Sequence, residues 1–154
     1  MFIERFNALV KPLLEAGALV EIVSHSWGTV VAYEALRGMD DEASLPKNSV
    51  HHLFTVGSAL SMAPVRRLLI PEAANGRRPR VVQSWVNLDA RFDIVGGALS
   101  GHFAVDREYL GLAPVGCRRI LGIYIPDPAC AHSSYFVPEN RAVNRDIFAH
   151  HIND

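Results

Sequence analysis

Ser26, Asp93 and His132 are of the three side-chain types that together can break an acyl bond. A serine hydroxyl is a poor nucleophile until a base removes its proton. A neutral histidine is the usual base, and a carboxylate can orient it and stabilise its protonated form. Ser26 lies in Ser24-His25-Ser26-Trp27-Gly28, after the apolar, β-branched run Val20-Glu21-Ile22-Val23 and before an apolar pattern at helical spacing. A serine on so short a strand-to-helix turn stands exposed over the carboxyl edge of a sheet, which suits a nucleophile. The same position also suits an ordinary serine capping the helix that starts near Trp27.

The elements that must position these groups follow from periodicity and turn residues. Phe2, Phe6, Leu9, Val10, Leu13 and Leu14 recur at helical spacing, with Pro12 inside the helix and Gly17 ending it. Strands are expected at 18 to 23, 52 to 56, 81 to 88 and 119 to 125, the last ended by Pro126-Asp127-Pro128. Helices are expected at 27 to 38, 64 to 70 and 138 to 150. Residues 93 to 117 are rich in glycine and poor in periodicity. Strands alternating with helices imply a parallel sheet with right-handed crossovers. Apolar, weakly alternating strands fit a sheet covered on both faces.

Each candidate group follows a separate expected strand. Asp93 comes after the third, in Trp85-Val86-Asn87-Leu88-Asp89-Ala90-Arg91-Phe92-Asp93-Ile94-Val95, and Asp89 is the alternative acid, nearer the strand end. His132 comes after the fourth, in Asp127-Pro128-Ala129-Cys130-Ala131-His132-Ser133-Ser134-Tyr135-Phe136. The other histidines fit less well. His51 and His52 open a strand at its amino edge, His102 precedes the fourth strand, and His150 and His151 end a helix.

Ser24-His25-Ser26-Trp27-Gly28 resembles the nucleophile elbow of the α/β-hydrolases, G-x-S-x-G, with Ser24 in place of the first glycine. The segment from Trp85 to Val95 is similar to the family's lipase and esterase strand that leads into an Asp-Ile-Val turn. His132-Ser133-Ser134-Tyr135 is similar to the His-Ser-x-Tyr of its final loop. The resemblance runs over essentially the whole chain and is nearest to the lipase-like serine esterases. It implies an α/β fold with about four mostly parallel strands and flanking helices, as one domain over 1 to 154. It implies Ser26 as nucleophile, His132 as general base, Asp93 as the acid, and the Trp27 backbone amide as an oxyanion donor. The substrate class is a small-molecule carboxylic ester, and no cofactor or metal is expected.

The family usually carries several strands and helices before the nucleophile strand, and here a single helix precedes it. The resemblance therefore implies a fold truncated at its amino end, without the loop that gives a second oxyanion amide. The first strand is then expected at an exposed edge, open to self-association or to a partner chain. A non-catalytic half-domain that binds a partner by strand addition is the competing function. A phosphate site at the start of the helix is a weaker reading. The turn holds one glycine and no lysine, and matches neither G-x-G-x-x-G nor the P-loop.

Composition limits the rest. The chain has 154 residues, 49% hydrophobic, with a formal net charge of −1, enough for one domain with a real core. That charge argues against a general nucleic-acid binder. Arg66, Arg67, Arg77, Arg78 and Arg80 cluster, as on a solvated surface or an anion-binding face. No apolar run approaches the roughly 20 residues of a membrane span, and Met1 to Phe6 lacks the order of a signal peptide. Cys117 and Cys130 flank the fourth expected strand, which would hold them too far apart for a disulfide. Free thiols and a cytoplasmic location are the expectation. There is no CxxC pattern and no convincing metal-ligand spacing.

Overall fold

The computed structural model describes residues 1–153, apart from the side chains of Arg119 and Tyr124. Its elements are α1 (Phe2–Glu15), β1 (Val20–His25), α2 (Gly28–Gly38), β2 (Val50–Val56), α3 (Ala63–Arg66), β3 (Val82–Ala90) and β4 (Arg107–Leu112). A small hairpin follows, β5 (Arg119–Ile120) and β6 (Ile123–Tyr124), then α4 (Pro128–Ser133). The chain ends in α5 (Arg141–Val143), a π-helical turn (Asn144–Phe148) and α6 (Ala149–Asn153).

Strands β1 to β4 form one sheet in the order β1-β2-β3-β4, and all three pairings are parallel. Parallel neighbours need crossovers, so helices and loops cover both faces of the sheet. Alternation along each strand divides the core. Leu53 and Trp85 join Leu14, Tyr33 and Leu36 beneath α1 and α2. Their neighbours Phe54 and Val86 join Tyr135, Val143 and Ile147 beneath the C-terminal helices. This two-sided burial is why the central strands β2 and β3 read as almost continuous apolar runs.

The fourth strand is not where the sequence suggests. It is Arg107–Leu112, inside the segment that shows no periodicity, and not 119 to 125. As an edge strand β4 is only half-buried and carries Arg107 and Glu108, so it lacks the apolar signature of β1 to β3. Residues 119 to 125 instead reverse direction at Leu121 and Gly122, whose φ values are 50° and 80°. Positive φ at both central residues is the geometry of a tight hairpin turn. The apolar tip is therefore not core, and Leu121 is 97% exposed.

This reversal also corrects the expectation of free thiols. The hairpin carries the chain back on itself, Cys117 and Cys130 come to a Cα separation of 5.7 Å, and they form a disulfide. The expected long C-terminal helix starts later and is broken by the π-helical turn. No helix among the described residues is long and apolar enough to cross a membrane. Three arginines of the basic cluster are engaged within the chain. Arg66 donates to the Ser61 carbonyl, Arg78 pairs with Asp106, and Arg80 donates to the backbone oxygens of Asp40 and Glu42.

Candidate active site

Ser26 follows the last residue of β1 and has φ +56°. Non-glycine residues avoid this left-handed region, and strained backbone of this kind concentrates at functional sites. Ser26 N donates to the Val56 carbonyl at 3.1 Å, which joins the turn to the carboxyl end of β2. The Ser26 carbonyl accepts from Thr29 Oγ1 at 2.7 Å, and Thr29 Oγ1 accepts from Ser58 Oγ at 2.9 Å. The N-cap of α2 is Trp27, and it makes no side-chain capping hydrogen bond. Among the described residues the hydrogen bonds of Ser26 to the turn and to α2 run through its backbone N and O. The Trp27 amide lies at the helix start, where backbone donors have no intrahelical acceptor.

Asp93 and His132 come together. His132 Nδ1 lies 3.0 Å from both carboxylate oxygens of Asp93. The Asp93 side chain is 0% exposed and the His132 ring 22%. Asp93 Oδ1 also accepts from the amides of Val95 and Gly96 at 2.8 and 3.0 Å, an Asx-type turn that fixes the loop. Tyr135 Oη donates to Asp93 Oδ2 at 2.6 Å. Burial alone would raise the pKa of Asp93. The donors, Tyr135 first, outweigh it and hold the carboxyl below its usual value. An ionised Asp93 is an acceptor only, so it favours a proton on the His132 Nδ1 that faces it.

Asp89 is not in this pair. It lies within β3, its buried Oδ1 has no hydrogen-bond partner among the described residues, and burial pushes its pKa up to about 6. The structure thus separates the two acids by environment, one held ionised by donors and the other desolvated.

Two side chains complete the arrangement. His25 Nε2 donates to the His132 carbonyl at 2.8 Å, and the two rings lie 4.5 Å apart. Burial lowers the pKa of His25, so it stays neutral there. Tyr135 Oη accepts from the Ala90 amide at 2.8 Å while it donates to Asp93, so one buried phenol bridges β3 and the acid. Its position in His-Ser-x-Tyr was the available signal, whereas nothing in the sequence marks His25 apart from its place beside Ser26. The loop after Asp93 is anchored too, because Asn87 Nδ2 donates to Gly97 O and Ser61 Oγ to Val95 O.

Gly57 shows how tightly the groups converge at the end of β2. A Cβ there would stand 2.8 Å from Asp93 Oδ2 and 3.1 Å from His132 Nδ1. Among the described residues no hydrogen bond within 3.5 Å joins Ser26 to His132. Such contacts are often long without substrate and tighten when it binds. An apolar pocket of about 380 Å³, lined by Ile94, Val95, Asp127, Pro128 and Ala129, opens onto His132.

The fold and the site define a parallel α/β domain in which a buried aspartate holds a partly exposed histidine at the carboxyl end of the sheet, where a strained serine also lies. No protein-family model matches the chain, and neither the curated proteins nor the solved structures give a match.

Proposed function

We propose that this chain is a serine hydrolase of the α/β-hydrolase type that cleaves carboxylic esters through an acyl-enzyme. One observation carries the reading. A buried carboxylate, held ionised by three kinds of donor, binds Nδ1 of His132 at the same sheet edge as Ser26 with its φ of +56°. In this reading His132 Nε2 takes the Ser26 proton, and Ser26 Oγ attacks the ester carbonyl. The oxyanion receives the Trp27 amide, and His132 then returns the proton to the leaving alcohol. The apolar pocket beside His132 supports an apolar group on the ester. Covalent labelling of the folded chain with a fluorophosphonate, mapped by mass spectrometry, tests this. A single adduct on Ser26 that disappears in His132→Ala is expected, and a folded wild-type chain that takes up none refutes it.

A second reading has its own observation. Among the described residues β1 pairs with β2 alone, and Val23 on it is 46% exposed. An apolar cavity of about 430 Å³ runs along this edge between Phe2, Phe6, Ile22, Val23 and Val31. An open strand edge accepts another strand. In this reading a second copy or another chain adds there and supplies a second oxyanion donor. Absence of labelling by the chain alone, together with labelling of a stable assembly, would select it. The cytoplasmic expectation loses its argument from free thiols now that Cys117 and Cys130 are joined.

A further inference from the structure

At the amino end of the sheet, remote from Ser26, the pairing of β1 with β2 contains an irregularity. Val20 is opposite Val50, but Glu21 is opposite His52, so His51 is an extra residue. In a regular strand consecutive side chains point to opposite faces. A bulge sets two residues of one strand against one residue of its partner and re-aims a side chain. Here it brings both imidazoles onto one carboxylate. His51 Nδ1 lies 2.9 Å from Glu21 Oε1, and His52 Nδ1 lies 3.1 Å from Glu21 Oε2. Bulges in parallel pairs are rare, and bulges are features of use to the protein more than defects.

We propose that Glu21, His51 and His52 form a site for a divalent transition-metal ion of the zinc class. The three ligand atoms lie within 4.8 Å of one another. Zinc takes imidazole nitrogen and carboxylate oxygen at about 2.0–2.2 Å, so a closing movement of about an ångström places all three on one ion. Glu21 Oε1 already lies 2.9 Å from His51 Nδ1 and 3.2 Å from His52 Nδ1, so that movement falls to the two imidazoles, chiefly to the more exposed ring of His51. Two imidazoles and one carboxylate suit zinc and its transition-metal neighbours, and are too nitrogen-rich for calcium or magnesium. The side chains are accessible as well as close, with Glu21 and His51 each 21% exposed and His52 8%. His52 is braced from behind by the ring of Phe54 at 5.5 Å and the edge of His151 at 5.4 Å, which fixes its orientation. A bound ion replaces the Nδ1–H donors, and each ring then carries its proton on Nε2. The ion would tie edge strand β1 to β2 at the end of the sheet opposite the Asp93-His132 pair. Gly57 lies five residue steps along the chain from His52, about 17 Å of extended strand. The site and the esterase reading can therefore fail independently.

The test is zinc titration of the metal-free 154-residue chain, by calorimetry and by ¹H–¹⁵N spectra of the imidazoles. The expected result is one zinc per chain, a rise in Tm, and movement of the His51 and His52 Nδ1 resonances with those of His132 unmoved. Cobalt at the same site should give the visible absorption of a low-coordinate nitrogen–oxygen site. In His51→Ala and in the isosteric Glu21→Gln, affinity should fall by at least about tenfold. Absence of one-to-one uptake by the wild-type chain overturns the proposal. So does uptake that shifts other histidines while leaving His51 and His52 unmoved, or uptake undiminished in both variants. The wild-type spectra decide the matter even where a variant does not fold.

Discussion

Tyr135→Phe probes the acid of the candidate site without touching Ser26 or His132. The substitution keeps the ring, which is packed among Phe54, Val56, Val86 and Leu88, and removes only the hydroxyl. Two interactions go with it. The hydrogen bond to ionised Asp93 at 2.6 Å is of the charge-assisted kind, which contributes about 1.5–3 kcal/mol. The Ala90 amide, which Tyr135 Oη accepts at 2.8 Å, is left without a partner at a cost of about 1–3 kcal/mol. With partial relaxation a loss of about 3 kcal/mol is expected, or about 6–12 °C in Tm for a domain of this size. The phenol is a neutral donor throughout, because burial and then Asp93 both raise its pKa. The pH dependence has a definite sign. Asp93 has its folded pKa below the ordinary 3.8, so its contribution is present above that value and is lost as pH falls through the folded pKa. Losing Tyr135 Oη raises that folded pKa. The gap between wild type and variant should therefore be full at neutral pH and narrow in strong acid. Urea denaturation at several pH values measures it. A loss under about 1 kcal/mol at neutral pH, or a gap that does not change with pH, would refute the assigned role of this hydroxyl.

Gly57→Ala should destabilise the fold by at least about 1–2 kcal/mol, because its φ is +51°. Its Cβ would also displace Asp93 or His132, so fluorophosphonate labelling should slow by about tenfold or more, as measured by mass spectrometry over time. Asp89→Asn should act in the opposite direction. The raised pKa of Asp89, about 6, means that wild-type stability falls as pH climbs from the ordinary 3.8 through 6. The variant should gain about 1–2 kcal/mol at pH 8 after allowance for solvent screening, and little at acid pH, in urea titrations at both. Reduction of Cys117–Cys130 opens a loop with a sequence separation of 13 that ends two residues before His132. It should cost about 3 kcal/mol and slow the labelling of Ser26, with far-ultraviolet circular dichroism reporting an intact sheet.

β2 and β3 were legible because they are buried on both faces, and β1 because its β-branched run persists although its second face is partly open. β1, β2 and β3 each carry a run of β-branched or aromatic residues that ends in a short turn, and Ser26 and Asp93 follow directly from those ends. β4 was not legible, since an edge strand with one wet face and a glycine at φ +66° leaves no period to read. The apolar residues from Ile120 to Ile125 carry the composition of a strand but sit on a hairpin tip, and composition alone cannot distinguish the two. That one misreading also concealed the disulfide. Choosing between Asp93 and Asp89 required the end of β3 at Ala90, which puts Asp89 inside the strand and Asp93 in the following turn. The Glu21–His51–His52 cluster depends on a register shift, and no sequence pattern marks it.

The all-parallel order β1-β2-β3-β4 also bears on how the molecule comes into being. No strand can pair with its neighbour through a tight turn, so each pairing must wait for a crossover to close, and the candidate site recruits residues as far apart as 26 and 132. Such long-range topologies fold slowly and spend time with strand edges uncovered. The apolar edge of β1 is the one most exposed to a wrong partner during that interval. Recovery of folded chain from denaturant should consequently depend on dilution, with concentrated solutions losing material to aggregation before the serine turn and the histidine ever meet.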